Sequence, residues 1–367
     1  YILSLSQICR WLASRAEEMG VEIYAGFAAS EVLVENDTSK NGTNNGNAGT
    51  GGVKGIATRD VGIAKDGTPK PTFERGVELH ARQTLFAEGA RGSCSEFLIE
   101  HFDLRGEKSG DSDDGKKSKV QPQTYGLGIK EVWEVPESIF QKGLVQHTLG
   151  YPLQSSPMDH VYGGTFLYHQ EPNLVLAGLV VGLDYQNPYL NPYKEFQKWK
   201  THPDVAKHFE GGTCISYGAR VLNEGGYHAI PKLTFPGGAL LGCSAGFLNA
   251  VKIKGSHTAL KSGMLAAEAV YERLKDGESV AETGELSEDH VPEEITSYAD
   301  AVKESWIHDE LYQVRNCHQA FSKWGVGGGL LYTGIAAHIT KGKEPWTLEH
   351  TVKDADCTGE ASKFEKI

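Results

Sequence analysis

The sequence predicts an α/β plus β architecture, and three observations carry that prediction. An amphipathic helix pattern opens the chain and leads into scattered β-rich runs. From Tyr125 to about Gly226 the pattern becomes short β-like runs separated by turn residues, as in a largely antiparallel sheet. After that block a small-residue segment leads into long helical patterns, so the chain reads as an α/β domain interrupted by a β domain and followed by C-terminal helices. At ~150 residues per domain, 367 residues suit two domains or one large interrupted one.

The opening helix follows from Ile8, Leu12, Ala16 and Met19 on one face, with Ser6 as N-cap and Gly20 as the stop. It runs into Val21–Tyr24, followed by β-rich runs at Val53–Thr58 and Val77–Phe86. Between them, Asn36–Gly52 is rich in Asn and Gly and nearly free of apolar residues, the composition of a flexible surface insertion without function. Gly106–Lys119, charged and serine-rich, reads as a second such insertion (residues 106–119). These residues form a first segment, 1–124. The β domain, 125–226, has strands at Tyr125–Val132, Leu144–Thr148, Thr165–His169 and Leu174–Val181, with a helix over Pro192–Lys200. Residues 227–276 return to the first domain through the strand-like Ala239–Gly242 and a helix from Ser256 to Leu274 that packs through Ala259, Gly263, Ala266, Ala267 and Val270. An acidic linker covers 277–294. The last segment, 295–367, begins with a helix pattern over Ile295–Phe321.

Composition narrows the function. With 36 basic and 48 acidic residues the formal charge is -12, which argues against a nucleic-acid binder relying on overall basic charge. Glycine, at 44 of 367 residues, exceeds the usual ~7% and points to tight turns and close backbone approach to something bound. The six cysteines, Cys9, Cys94, Cys214, Cys243, Cys317 and Cys357, form no C-x-x-C pair, so the spacing encodes no metal site. No G-x-S-x-G or H-E-x-x-H occurs and the 14 histidines are scattered, which leaves no hydrolytic constellation. The chain starts at Tyr1 without a methionine and is expected to be an internal piece of a longer protein.

Two glycine-rich segments suit a nucleotide. Gly237–Gly255 presents backbone N–H groups ahead of the helix at Ser256, whose N-terminus attracts phosphate or a developing anion. Glu88-Gly-Ala-Arg-Gly92 ends a β-like run and allows a dinucleotide to pass close to the backbone. A strand followed by G-x-G-x-x-G is absent, so a dinucleotide's main phosphate loop is expected upstream of Tyr1. Trp324–Thr340 has no acidic or basic residue but His338; its 17 residues fall short of the ~20 that span a bilayer. By pattern it is a buried helix hairpin or a segment lying in a membrane surface.

Several phrases together resemble one family, the electron transfer flavoprotein-ubiquinone oxidoreductases: Tyr162-Gly-Gly-Thr-Phe-Leu-Tyr-His169, Gly182-Leu-Asp-Tyr-Gln-Asn-Pro-Tyr-Leu190, Tyr217-Gly-Ala-Arg220, Leu222-Asn-Glu-Gly-Gly226, Ile230-Pro-Lys-Leu-Thr-Phe-Pro-Gly-Gly238 and Lys252-Ile-Lys-Gly-Ser-His257. The resemblance runs from Ile2 to Cys357 apart from the two insertions. It implies an incomplete FAD-binding Rossmann-like domain interrupted by a largely antiparallel ubiquinone-binding β domain, and an oxidoreductase that passes electrons from reduced electron transfer flavoprotein through FAD and a [4Fe-4S] cluster to membrane ubiquinone. It further implies a place on the matrix side of the mitochondrial inner membrane. By position, Glu88, Gly89, Ala90, Arg91 and Gly92, with Gly242, Cys243, Ser244, Ala245, Gly246, Phe247 and Asn249, would line FAD. Gly163 and Gly164 would lie against ubiquinone, and Trp324–His338 would rest in the membrane surface. Cys357 is not expected to ligate a cluster, whose cysteines would lie beyond Ile367. The isolated chain is expected to bind FAD weakly or not at all. A flavin monooxygenase or isoprenoid-chain reductase of the same fold, and a non-catalytic membrane-surface module, are the competing readings.

Overall fold

The structure, a computed structural model, describes residues 3–35, 51–106, 120–275 and 290–364. Most of the two expected insertions and of the acidic linker therefore lies outside the described residues. Gly51 and Gly52, at the end of the first insertion, are buried, and the Glu35 N–H donates to the Gly52 carbonyl at 2.8 Å.

In chain order the elements are α1 (Leu5–Glu18), β1 (Ala29–Val34), β2 (Val53–Thr58), β3 (Val61–Ile63), β4 (Pro69–Glu74), β5 (Glu78–His80), β6 (Thr84–Phe86) and α2 (Ser93–His101). Next come β7 (Tyr125–Glu134), β8 (Val145–Thr148), β9 (Gly163–Gln170), β10 (Leu174–Gly182), α3 (Pro192–Lys200), α4 (Pro203–Ala206) and β11 (Thr213–Asn223). The remainder is β12 (Thr234–Phe235), β13 (Gly238–Leu240), α5 (Ser256–Leu274), α6 (Ser297–Glu304), α7 (Trp306–Gln313), α8 (Cys317–Ile335) and α9 (Asp354–Cys357). They fall into two compact units: Tyr1–Ala25, Pro122–Glu224 and Asn316–Ile367 in one, Gly26–Gln121 and Gly225–Arg315 in the other. The opening helix and Asn316–Ile367 fall in the same unit as the β block, whereas residues 295–315 of the C-terminal segment fall in the other.

In the first unit β11, β7, β10, β9 and β8 form one sheet in that order, every pair antiparallel. β9 alternates buried and half-buried residues, the period of a strand with one covered face. β10 is buried along almost its whole length, which explains why Leu174–Val181 reads as an unbroken apolar run. Helix α3 begins at Pro192 behind Asn191, whose side chain accepts the Lys194 N–H at 3.1 Å. Its buried Phe196 and Trp199 join Ile129, Leu167, Val175, Leu179 and Val181 in the core. Truncating Trp199 to Ala would cost about 3–5 kcal/mol.

In the second unit β1, β2 and β5 form an antiparallel sheet, β3 and β4 a hairpin, and β12, β13 and β6 a third sheet in which β13 runs parallel to β6. Phe86, Leu98, Phe235, Leu240, Phe247, Tyr298, Ile307 and Leu311 are buried in its core.

Several local expectations need correction. Ser4, not Ser6, occupies the N-cap position of α1. Val77–Phe86 is two strands because β5 pairs with β2 whereas β6 pairs with β13. Helix α5 has the expected limits but buries Thr258, Ser262, Leu265 and Ala266; Ala267 is exposed and a Cβ on Gly263 would meet nothing within 4 Å. The pattern over Ile295–Phe321 is broken at Ser305, which turns to extended backbone and caps α7 by accepting the Ile307 N–H at 3.2 Å.

One buried pair makes the first unit sensitive to pH. His169 Nδ1 accepts the Gln141 N–H at 3.0 Å, so its Nε2 carries the proton and donates to His208 Nδ1 at 3.1 Å. Burial, then the charge of His208, holds His169 down at about 4; burial, then Lys207, lowers His208. Both groups are depressed below their unfolded value, so the neutral pair's contribution is whole above pH ~6.5 and declines as pH falls toward 4, by about 3 kcal/mol for His169 alone. Urea unfolding followed by tryptophan fluorescence is expected to show lower stability at pH 5 than at pH 7.5. In His169→Gln/His208→Gln that slope should flatten.

Candidate functional site

In the second unit, Thr84, Leu85 and Phe86 of β6 pair with Gly238, Ala239 and Leu240 of β13 in parallel. The loops leaving both strands therefore start at the same edge, the carboxyl ends where open α/β sheets bind ligands. The Leu241 N–H donates to the Phe86 carbonyl at 2.9 Å, and the Ser244 hydroxyl donates to the Gly89 carbonyl at 3.2 Å. The structure thus brings together Glu88–Gly92 and Gly242–Gly246, which lie more than a hundred residues apart in sequence. Gly89, Gly242 and Gly246 have φ of 88°, 53° and 82°, values that favour glycine. A Cβ on Gly89 would meet nothing within 4 Å, so its backbone borders open space.

Several of the expected side chains are already engaged. The Glu88 carboxylate accepts the Ser95 N–H and hydroxyl, each at 2.7 Å, and the Cys94 N–H at 3.3 Å. It holds the N-terminus of α2 and leaves the backbone as the accessible part of this loop. Arg91 is exposed, with its guanidinium 3.7 Å from Glu96. Phe247 is buried in the core, and burial raises the Cys243 thiol. The Asn249 amide donates to Glu310 at 3.0 Å, while its Oδ1 accepts the Lys252 N–H at 3.0 Å. Glu310 also receives Lys252 Nζ at 2.7 Å and His257 Nε2 at 2.8 Å. Lys252 is thereby neutralised beside the N-terminus of α5.

The first unit holds the other expected site. Gly163 and Gly164 open β9, opposite Val181 and Val180 of β10. A Cβ on Gly163 would lie 2.4 Å from the Val180 carbonyl oxygen, and one on Gly164 2.7 Å from the Thr148 carbonyl oxygen. The sheet itself thus requires both glycines. Buried Gln154 fastens the loop before them, donating to the carbonyls of Val161 and Gly163 at 2.6 and 3.1 Å. That loop continues to α8: the Val326 N–H donates to the Asp159 carbonyl at 2.9 Å and the Gly327 N–H to the Pro157 carbonyl at 2.8 Å.

Helix α8 bends at Gly325, where φ is 67° and ψ -174°. Its first turn, Cys317–Phe321, is buried. Beyond the bend Leu331, Ile335 and Ile339, four residues apart, stand exposed, Leu331 by 69% and Ile339 by 75%, the last within a π turn over Ala336–Thr340. Met158 and Trp324 add to the exposed apolar side chains of this unit. The pattern alone offered a buried hairpin or a surface segment for Trp324–Thr340, and the structure shows one helix with a buried and an exposed part. No helix among the described residues is long and apolar enough to cross a membrane.

Residues without an assigned role in the sequence gather behind Tyr162. Glu224 and His318 are 2% and 5% exposed, with Glu224 Oε2 3.9 Å from His318 Nε2. Tyr162 packs edge-on against His318 and Phe321. The only signal for Glu224 was an acidic residue within the apolar and glycine-rich phrase Leu222–Gly226. Nothing in the sequence brings Gly126 opposite it, where a Cβ would lie 2.4 Å from Glu224 Oε1. Among the described residues no group of three or more His, Cys, Asp or Glu is arranged to hold a metal ion.

Residues 125–222 match a family model described as "ETF-QO, ubiquinone-binding". The chain is 49% identical over 372 residues to the mitochondrial electron transfer flavoprotein-ubiquinone oxidoreductase of Homo sapiens, covering 98% of this chain and 54% of that protein. The Bos taurus protein is 50% identical over 363 residues, covering 97% and 52%, and that of Dictyostelium discoideum 49% over 368 residues, covering 100% and 56%. The chain thus spans about half the length of these relatives. In fold it is similar to a geranylgeranyl bacteriochlorophyll reductase-like protein from Thermoplasma acidophilum, with a TM-score of 0.55, 15% identity and coverage of 90% of this chain and 67% of the other. A flavin-dependent brominase gives a TM-score of 0.52 at 13% identity, covering 91% and 66%. Over the length it spans, the chain is similar to the electron transfer flavoprotein-ubiquinone oxidoreductases.

Proposed function

We propose that this chain supplies part of the flavin site and the quinone-binding part of an oxidoreductase that passes electrons from reduced electron transfer flavoprotein to membrane ubiquinone. The observation that carries the reading is the continuous connection, within one unit, from the Tyr162–Gly164 phrase through the loop at Pro157–Asp159 to the exposed apolar part of α8. A lipid-soluble quinone needs such a junction: apolar surface that meets the bilayer, and protein backbone that receives its ring. The family relationship and the ubiquinone-binding match over residues 125–222 support the same assignment.

The residues at the ends of β6 and β13 suit FAD. Glycine backbone at Gly89, Gly242 and Gly246 admits a flat ring or pyrophosphate, Ser244 and Gly89 hold the two loops together, and the first turn of α5 packs on the same segment, the Thr258 hydroxyl donating to the Phe247 carbonyl. When bound, FAD supplies the electron-transfer chemistry, and the protein positions it. Glu88 acts through α2 rather than by touching the cofactor, and Phe247 and Asn249 act by holding the 242–249 segment in shape. No residue of this chain is assigned to an iron-sulfur cluster. Exposed Leu331, Ile335 and Ile339 would rest at the level of lipid headgroups, on the matrix side of the mitochondrial inner membrane if the chain follows its named mitochondrial relatives.

Three outcomes are expected. The holoprotein should reduce short-chain ubiquinone when reduced electron transfer flavoprotein is the donor; substrate-dependent NAD(P)H oxidation with no quinone reduction would overturn the reading. Gly89→Val adds a side chain where the protein leaves space and where φ is 88°, so bound flavin, read from visible absorbance, should fall at least ~10-fold while far-UV circular dichroism is retained. Leu331→Ser/Ile339→Ser should weaken binding to phospholipid vesicles in flotation by about 10-fold or more, since two exposed aliphatic groups are worth roughly 1.5–3 kcal/mol each.

A further inference from the structure

We infer that Glu224 is the internal proton donor for quinone reduction, linked through His318 to the Tyr162–Gly163 end of the site and resupplied from the tail residues His350 and Asp354. This rests on the quinone reading above and adds to it the route of a proton. Reducing a quinone to a quinol takes up two electrons and two protons. The electrons come from the enzyme's reduced redox groups, and the protons have to reach the two carbonyl oxygens of the ring.

Glu224 is built in where an ionised carboxylate is poorly served. It follows the last residue of β11, its side chain lies across Gly126 of β7, and its Oε2 has no hydrogen-bond partner. The groups that face it are nearly all acidic or neutral: Asp184 from the loop after β10, Asp354 from α9, and His318 from the buried start of α8. Tyr162 and Cys317 lie in the same neighbourhood. The charges that act on the Glu224 carboxyl are those of Asp184 and Asp354, with neither a lysine nor an arginine among them. Burial first, then Asp184 and Asp354, pushes the Glu224 carboxyl up to about 8, so the acid still carries its proton at neutral pH.

His318 is the junction. Its Nε2 faces Glu224 at 3.9 Å, a separation a small side-chain shift closes, its ring meets that of Tyr162 at 5.1 Å, and that of His350 stands 6.4 Å away. Burial, opposed by Asp184, lowers it to about 4, so it is neutral and can accept a proton on one nitrogen while releasing one from the other. Asp354 is half-buried and accepts the Tyr125 N–H at 2.8 Å; burial raises it to about 6, nearer the solvent value than Glu224. In the balanced step Glu224 loses one proton, one quinone carbonyl oxygen gains it as the electrons arrive, and the second oxygen takes its proton from solvent. The Glu224 carboxylate is then reprotonated through His318, His350 and Asp354.

The test uses the holoprotein with Glu224→Gln and Glu224→Asp, short-chain ubiquinone as acceptor and reduced electron transfer flavoprotein as donor. The expected result for Glu224→Gln is a fall of ~100-fold in kcat for quinol formation. Reduction of the enzyme's flavin by the donor should be unchanged. The wild-type kcat should decline above pH 8, that limb should vanish in Glu224→Gln, and Glu224→Asp should restore it. Infrared spectroscopy of the protein without quinone should show a protonated carboxyl band at pH 7 that disappears near pH 8 and is missing in Glu224→Gln. Wild-type quinone turnover and pH profile in Glu224→Gln, or no such band, would overturn the inference while leaving the quinone reading in place. A wild-type holoprotein that does not reduce quinone would remove both.

Discussion

Three residue pairs in parallel register, Thr84–Phe86 against Gly238–Leu240, decide how the second unit is assembled. Parallel pairing is weaker per residue than antiparallel pairing and joins segments that cannot meet through a tight turn. Here the contact is stabilised by what surrounds it. Phe86 and Phe235 lie ring to ring, Phe235 stacks on Phe102, and the buried Tyr298 hydroxyl donates to the Leu240 carbonyl at 3.1 Å. With that pairing in place, two glycine loops share one edge, and both can contribute backbone to one ligand. Without it they are unrelated turns.

The same reliance on side-chain-poor backbone recurs in the first unit for a different reason. Gly163, Gly164 and Gly178 are needed because a Cβ at each would strike a neighbouring strand or the Phe166 ring. Gly126 is needed because the Glu224 carboxylate occupies the space a side chain would take. A glycine excess in composition therefore has at least two causes here, close packing of the sheet and room for a buried acid.

Much of the fold was legible in the sequence. The β-like run at Thr165–His169 falls within β9, and the helix patterns over Pro192–Lys200 and Ser256–Leu274 coincide with α3 and α5. What escaped depended on tertiary partners. Val77–Phe86 is a single β-rich run locally and two strands only because β2 and β13 claim its ends. The α5 stripe was displaced because Ser262 and Thr258 bond backbone groups of the segment before the helix: Ser262 Oγ accepts the Gly242 N–H, and the Thr258 hydroxyl donates to Gly255. Polar residues thus took the inward face that apolar periodicity assigns to alanine and valine. The glycine loops of the candidate site were readable as loops; the commitment of Glu88 to α2 and of Lys252 to Glu310 was not, because neither partner lies at a helical or strand spacing that announces it.

The bend at Gly325 has a consequence for how α8 meets its surroundings. Because Val326 and Gly327 hand their amide protons to Asp159 and Pro157, the last turns of the helix take their angular phase from that loop and not from the buried turns before it. Each residue advances the helix by about 100°. The stretch between the bend and Leu331 therefore works as a fixed dial: adding or deleting one residue there would swing the greasy row away from whatever it rests on while leaving its composition intact.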